Sequence, residues 1–169
     1  MPRNIEIKAR VADLEAIRQR AAGLTSHAGE IIEQRDTFFR VSNGRLKLRE
    51  LGDGTGELIF YERPDQPGPK QSRYWRAPII DPAALIAVLT AAFGARGVVE
   101  KRRLLVLVGQ TRIHLDDVRG LGAFVELEVV LADNQSVAEG EGIARDLLTK
   151  LGIEDTSLEP RAYIDLLTA

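Results

Sequence analysis

Charged residues recur at two-residue spacing in several short segments of this chain, and that spacing puts them on one face of a strand. Glu6, Lys8 and Arg10 alternate with Ile5, Ile7, Ala9 and Val11, and Arg45, Lys47 and Arg49 alternate with Leu46 and Leu48. Lys101 and Arg103 share a face, as do Arg112, His114 and Asp116, and as do Glu126 and Glu128, which lie opposite Val125, Leu127 and Val129. With Arg63 the set holds nine bases (Lys8, Arg10, Arg45, Lys47, Arg49, Arg63, Lys101, Arg103, Arg112) and four acids (Glu6, Asp116, Glu126, Glu128). Brought together they would carry a local charge of +5 in a chain whose net charge is −2. A concave site this basic suits a polyanion. Carboxylates embedded in it suit Mg²⁺ or Mn²⁺, hard cations that take oxygen ligands. Polyphosphate with a divalent metal satisfies both sets.

The elements that must position these residues are short strands. Eight segments read as strands: Asn4 to Val11, Ile31 to Val41, Arg45 to Glu50, Gly56 to Arg63, Gln71 to Pro78, Val98 to Val108, Gln110 to Asp116 and Ala123 to Leu131. Turn signals separate several of them: SNG at 42–44, GDGTG at 52–56, PDQPGP at 64–69 and RGLG at 119–122. Helical spacing of Leu14, Ile17, Ala21 and Leu24 predicts one helix. Asp81-Pro82 reads as an N-cap and first-turn proline for a second helix stopping at Gly94. Ser136 and Glu139 form a capping box for a third helix ending near Gly152, and a fourth is expected from about Pro160 to Leu167. No repeat or linker is visible, so residues 1–169 are read as a single domain.

Two arrangements fit this pattern. The plain one is an antiparallel sheet with its charged face in water. The other is closure: eight strands are enough for a barrel, and the charged faces would then line its inside. Such a lining is costly unless it is hydrated or holds a ligand of complementary charge. Several apolar faces are needed to pack three or four helices, which places the charged faces together on the other side of the sheet, whether open or closed. A one-residue slip in register would undo part of the set.

Composition narrows the function classes. The chain has 169 residues, 44% apolar and 28% charged, values ordinary for a globular protein large enough to bury a core. It has no cysteine, so a disulfide framework, a thiolate metal site and a cysteine nucleophile are excluded. Two histidines, His27 and His114, are too few for a histidine-rich zinc site. No bulk positive field attracts nucleic acid or anionic membrane, and no apolar signal core or long apolar run is present. The expected setting is soluble and cytoplasmic, with no nucleic-acid or membrane partner.

The motifs resemble the CYTH superfamily, the triphosphate tunnel metalloenzymes. NIEIKAR at the N-terminus is similar to that family's ExExK signature. QRDTFF (34–39), GRLKLRE (44–50), ELIFYERPD (57–65), EKRR (100–103), TRIHLDDVRGLGAFVELE (111–128) and YIDLL (163–167) follow in the family's order across nearly the whole chain. The resemblance implies an α+β fold, an eight-stranded antiparallel closed barrel forming a tunnel with a polar interior and helices outside. It implies an enzyme acting on a small-molecule triphosphate with Mg²⁺ or Mn²⁺. Carried over position by position, it makes Glu6 a metal ligand. Lys8 becomes a phosphate contact that also orients the attacking group. Lys8, Lys47, Arg49, Lys101 and Arg103 become triphosphate contacts, with Arg63 near the family's basic fourth-strand position; Arg45 and Arg112 join the triphosphate-binding set by strand parity, and Asp116, Glu126 and Glu128 join Glu6 near the metals. The first Glu of the signature is Asn4 here, an amide that offers an oxygen without a charge.

Three activities follow as expectations. The first is hydrolysis of a triphosphate: tripolyphosphate, thiamine triphosphate or a nucleoside triphosphate. The second is a class IV adenylate cyclase, turning ATP into cyclic AMP and pyrophosphate. The third is a non-catalytic nucleotide or polyphosphate sensor, for which Asn4 is the motive. A homodimer is compatible with the sequence. Tyr61, Tyr74 and Trp75 are read as strand packing, with stacking at a tunnel mouth as the alternative. His114 is read as a hydrogen-bonded structural residue, with a proton shuttle as the alternative. Asp117 is expected to face out, and Arg40 and Arg73 are placed more often outside than in.

Overall fold

The computed structural model describes residues 3–169. All eight expected strands form: β1 (Arg3–Arg10), β2 (Glu30–Phe39), β3 (Arg45–Glu50), β4 (Gly56–Glu62), β5 (Lys70–Ile79), β6 (Ala95–Val108), β7 (Thr111–Val118) and β8 (Gly122–Val130). They close into an antiparallel barrel in the order β1-β5-β4-β3-β2-β6-β7-β8. Closure rests on β1, which pairs with β5 on one side and β8 on the other. The fold is α+β, an eight-stranded closed barrel with four α-helices outside it, α1 (Leu14–Ala22), α2 (Pro82–Phe93), α3 (Val137–Leu151) and α4 (Tyr163–Leu167). The last helix is shorter than the sequence suggested. Residues 155–157 form a 3-10 turn, and α4 opens only after Ala162.

The local chemistry of each helix explains its limits. Asp81 accepts a hydrogen bond from the Ala84 amide at 3.0 Å, capping α2 behind its first-turn proline. Ser136 and Glu139 make the reciprocal capping box of α3, which ends at Gly152 in the left-handed conformation, φ 69°. The apolar stripe of α3, Ala144, Leu147, Leu148 and Leu151, is buried against the outer residues of β1 and β8. Gly140 permits that approach, because a Cβ there would lie 2.5 Å from Leu131 Cδ2 and 2.7 Å from Ile5 Cγ1.

Strand parity therefore decides what faces where. Ile5, Ile7 and Ala9 of β1 and Val125, Leu127 and Val129 of β8 point outward into the core under α1 and α3. Burying each larger apolar side chain contributes about 1.5–3 kcal/mol. The alternate residues point inward. Cross-strand pairing sets Glu6 opposite Glu128 and Lys8 opposite Glu126. A second core cluster, Phe38, Val99, Val118, Phe124, Ala162, Tyr163 and Ile164, joins the last helix to one end of the barrel. Among the described residues no helix is long and apolar enough to cross a membrane.

Candidate active site

The inward faces enclose a cavity of about 390 Å³, within the range of small-molecule sites. Eight bases line it (Lys8, Lys47, Arg49, Arg63, Arg76, Lys101, Arg103 and Arg112) with four acids (Glu6, Asp36, Glu126 and Glu128). Seven of the nine bases singled out by alternation are among them. The convergence shows that the charged faces belong to one interior, rather than to a wetted outer sheet face.

One wall is cationic, with two carboxylates behind it. Arg49 donates from Nε and Nη2 to the two oxygens of Asp36, each at 2.8 Å, and Lys47 Nζ donates to Asp36 Oδ2 at 2.8 Å. Arg103 donates to both oxygens of Asp116 at 2.7 Å, and Lys101 Nζ lies 3.6 Å from Asp116 Oδ2. Burial alone would raise both acids. Arg49 and Lys47 overcome it at Asp36, and Lys101 and Arg103 overcome it at Asp116, so both carboxyls sit well below the usual carboxylate range. Burial, then the neighbouring Arg103, brings Lys101 down to about 7. Burial brings Lys8 down to about 8, although Glu126 pulls the other way.

The opposite wall, β1 and β8, carries the crowded carboxylates. Burial, then Glu126, pushes Glu6 up to about 7, with Glu128 adding to the effect. Arg63 Nη1 donates to Glu6 Oε2 at 3.4 Å, and Arg112 Nη1 donates to Glu128 Oε1 at 3.3 Å. Asn4 Nδ2 donates to Glu128 Oε1, while Asn4 Oδ1 is buried without a partner. No three His, Cys, Asp or Glu side chains among the described residues form a ready-made ion cage. The donor set still fits Mg²⁺ or Mn²⁺. Such ions are held by one or two carboxylates plus substrate phosphates and waters, and the mutual repulsion that raises Glu6 is what a cation relieves.

The barrel has one closed end. Residues 158–168 cross the Lys8 end: Ala9 and Leu158 form a β-bridge, Lys8 Nζ donates to the Arg161 carbonyl, and Lys70 Nζ donates to the Pro160 carbonyl at 3.1 Å. Asp165 accepts from Arg45 at 2.8 Å and from Arg96 at 2.5 Å. Four residues along β1, Asn4 lies toward the opposite end with Arg112 and Glu128.

Several residues lie elsewhere than the sequence indicated. Asp116, expected near metals, is 0% exposed, is absent from the cavity lining, and has both oxygens engaged by Arg103. Arg45, expected on phosphate, sits at the closed end between Asp65 and Asp165. Arg10 lies over the Phe124 ring and donates to the Leu121 carbonyl at the surface. Tyr61 and Tyr74 line the cavity, whereas Trp75 packs outside against Phe60 with centroids 5.5 Å apart. His114 lines the cavity with Nδ1 unpartnered, and burial, then Arg103, holds its pKa well below the usual value, so the ring is neutral. Asp117, Arg40 and Arg73 are exposed, as the sequence indicated.

Arg76, Asp36, Lys70 and Tyr163 were missed. Arg76 shares the inward parity of Ser72 and Tyr74, but Arg73 on the other face of β5 hides the alternation. Asp36 alternates with Gln34 and Phe38, a face of mixed character that carries no charge pattern. Lys70 stands one residue before the expected start of its strand. Tyr163 lies in a quoted motif, YIDLL, but no spacing rule joins a helix residue to strand faces.

Comparison with known proteins gives consistent results. The CYTH domain family matches residues 2–163. A protein of Aeromonas hydrophila named adenylate cyclase CyaB is 27% identical over 168 residues, covering 94% of this chain and 85% of that protein. The structure of PH1012 from Pyrococcus horikoshii OT3 superposes with a TM-score of 0.86 at 29% identity, over 96% of this chain and 98% of that one. HpAC1 from Hippeastrum, whose dominant activity is that of a triphosphatase, shares the fold with a TM-score of 0.69 at 15% identity, over 99% of this chain and 95% of that one.

Proposed function

This chain belongs to the CYTH domain family, and from that premise we propose that it is a metal-dependent enzyme hydrolysing a small-molecule triphosphate inside its barrel. The observation that carries the reading is the convergence of eight bases and four acids on one cavity. A triphosphate bears the charge that the bases lack, and the carboxylates of the β1–β8 wall would hold Mg²⁺ or Mn²⁺ together with it.

Glu6, Glu126 and Glu128 would hold the metal, and Arg112 and Asn4 both donate to Glu128 Oε1, which leaves its other oxygen for the ion. When bound, the ion polarises a phosphoryl oxygen and lowers the pKa of a bound water. Asp116 is left out of this set. Its carboxylate orients Arg103 and Lys101 instead. Lys47, Arg49, Lys101 and Arg103 grip phosphate oxygens and neutralise charge that builds on them during displacement, commonly the largest catalytic contribution. Lys8, brought down to about 8 by burial, is mostly protonated at neutral pH and would deliver a positive charge to the terminal phosphate beside the closed end. Buried walls exclude bulk water, so these charges act at low dielectric.

A second reading is cyclisation of ATP, supported by the name of the Aeromonas relative. It needs attack at the phosphorus nearest the sugar, with pyrophosphate leaving. Incubating the purified protein with tripolyphosphate and with ATP, each with Mg²⁺ or Mn²⁺, separates the readings by product. Orthophosphate from tripolyphosphate, and ADP with orthophosphate from ATP, support hydrolysis. Cyclic AMP with pyrophosphate supports the second reading. Tight binding without any product refutes both and leaves a sensor.

A further inference from the structure

The closed end of the barrel presents an aromatic ring to the cations. Tyr163, the first residue of α4, lines the cavity although it belongs to no strand. Its ring centroid lies 4.4 Å from Lys8 Nζ on β1 and 5.0 Å from Lys101 Nζ on β6. Its hydroxyl donates to Asp116 Oδ2 at 2.8 Å, the same oxygen that accepts from Arg103 Nη2 at 2.7 Å. Phe124 packs edge-on at 5.0 Å between centroids and fixes the ring plane. Three phosphate-facing cations on two strands thus meet on one side chain, directly or through Asp116.

We propose that Tyr163 is a positioning residue for the phosphate-binding cations, holding Lys8 and Lys101 against its ring and Arg103 through Asp116. The inference rests on the triphosphate reading. Two ammonium groups drawn to one place repel each other, and the negative face of a shared ring offsets that repulsion. A lysine on its flexible stem otherwise has to be ordered by the ligand, and that ordering subtracts from affinity. The ring shares the anchoring of α4 with its neighbours. Ile164 is 0% exposed in the core, and Asp165 is bound by Arg45 and Arg96. A leucine in its place keeps an apolar side chain in that cluster, so loss of the ring can be read apart from loss of helix docking.

The test compares Tyr163→Leu, Tyr163→Phe and Ile164→Ala with wild type. Calorimetry gives the Kd for tripolyphosphate in metal-free buffer, turnover with Mn²⁺ gives kcat and KM, and melting temperature reports folding. Tyr163→Leu should weaken tripolyphosphate roughly 30-fold, the scale of two cation–π contacts, with KM rising in parallel and kcat changing little. Tyr163→Phe keeps the ring and should recover most of that loss, leaving roughly a 3-fold deficit from one hydrogen bond, with a melting temperature lowered by only a few degrees. Ile164→Ala should lower the melting temperature without weakening the anion. Wild-type affinity in Tyr163→Leu overturns the inference, as does an equal loss in Ile164→Ala. Should Tyr163→Leu not fold, Tyr163→Phe decides alone, and an unchanged Kd overturns the inference. A wild type that binds no tripolyphosphate defeats the triphosphate reading itself, which is a different result.

Discussion

Asp36 and Arg49 face each other across neighbouring strands and share two parallel hydrogen bonds of 2.8 Å inside the cavity. The carboxylate also takes Lys47, so one acid orders two cations that are aimed at substrate. Removing its charge should leave both bases buried without a partner. Asp36→Asn is expected to destabilise the free protein by about 3–5 kcal/mol, the scale of breaking a buried ion pair. Tripolyphosphate should then raise the melting temperature of the variant more than that of wild type. Equal melting curves without ligand would refute the pairing.

The pH response of the empty barrel follows from Lys101. Burial, then Arg103, holds its ammonium down to about 7, against roughly 10.4 in an unfolded chain. Between these values the unfolded state binds more protons, so stability rises with pH. The cost of the buried charge is fully present below about pH 7 and shrinks as pH climbs above it. Lys101→Met should be more stable than wild type at about pH 6, and its advantage should narrow by about pH 9. Wild-type affinity for tripolyphosphate in metal-free buffer should fall across the same window, and less steeply in the variant. Parallel pH profiles of stability would contradict this assignment.

Glu126 separates metal binding from anion binding. Glu126→Gln removes one negative charge from the β1–β8 wall, where Glu126 faces Lys8 and crowds Glu6. Turnover with Mn²⁺ should fall by roughly 100-fold or more, the scale of losing one charge-stabilising group. Tripolyphosphate binding in metal-free buffer should hold or tighten, because a like charge has gone. Steady-state kinetics beside calorimetry would expose the opposite pattern.

Asn4 offers a gain-of-charge experiment. It is fully buried and donates to Glu128. Asn4→Glu would put carboxylate against carboxylate, so the metal-free melting temperature should drop. Added Mn²⁺ should restore it by a larger increment than in wild type. A melting temperature indifferent to Mn²⁺ in the variant would rule out an ion on this wall.

Most of the barrel was legible because strand alternation and cap chemistry are local. Ile5, Ile7 and Ala9 against Glu6 and Lys8 fix the faces of β1 without knowledge of its neighbours, and Ser136 with Glu139 fixes the start of α3. Alternation also located Lys47, Arg49, Lys101, Arg103, Glu126 and Glu128 on the cavity. It failed where the relationship is long-range. Asp116 shares the inward parity of His114 but lies toward the closed end, where Tyr163 and Arg103 occupy its oxygens. Arg45 was drawn to Asp165, 120 residues away. Arg76 was hidden because charges stand on both faces of its strand. Parity reports which side a residue faces, but not how far along the tunnel it stands.

The segment crossing the Lys8 end makes the barrel a cul-de-sac rather than a passage. Among the described residues, that leaves the Asn4 end for traffic in both directions. For a phosphate chain threaded end-first, the fragment cut from the innermost tip is trapped behind the longer remnant, so the remnant must depart first. Turnover would accordingly be throttled by accumulated diphosphate more than by accumulated orthophosphate, an asymmetry imposed by the plumbing of the fold and not by the strength of any one contact.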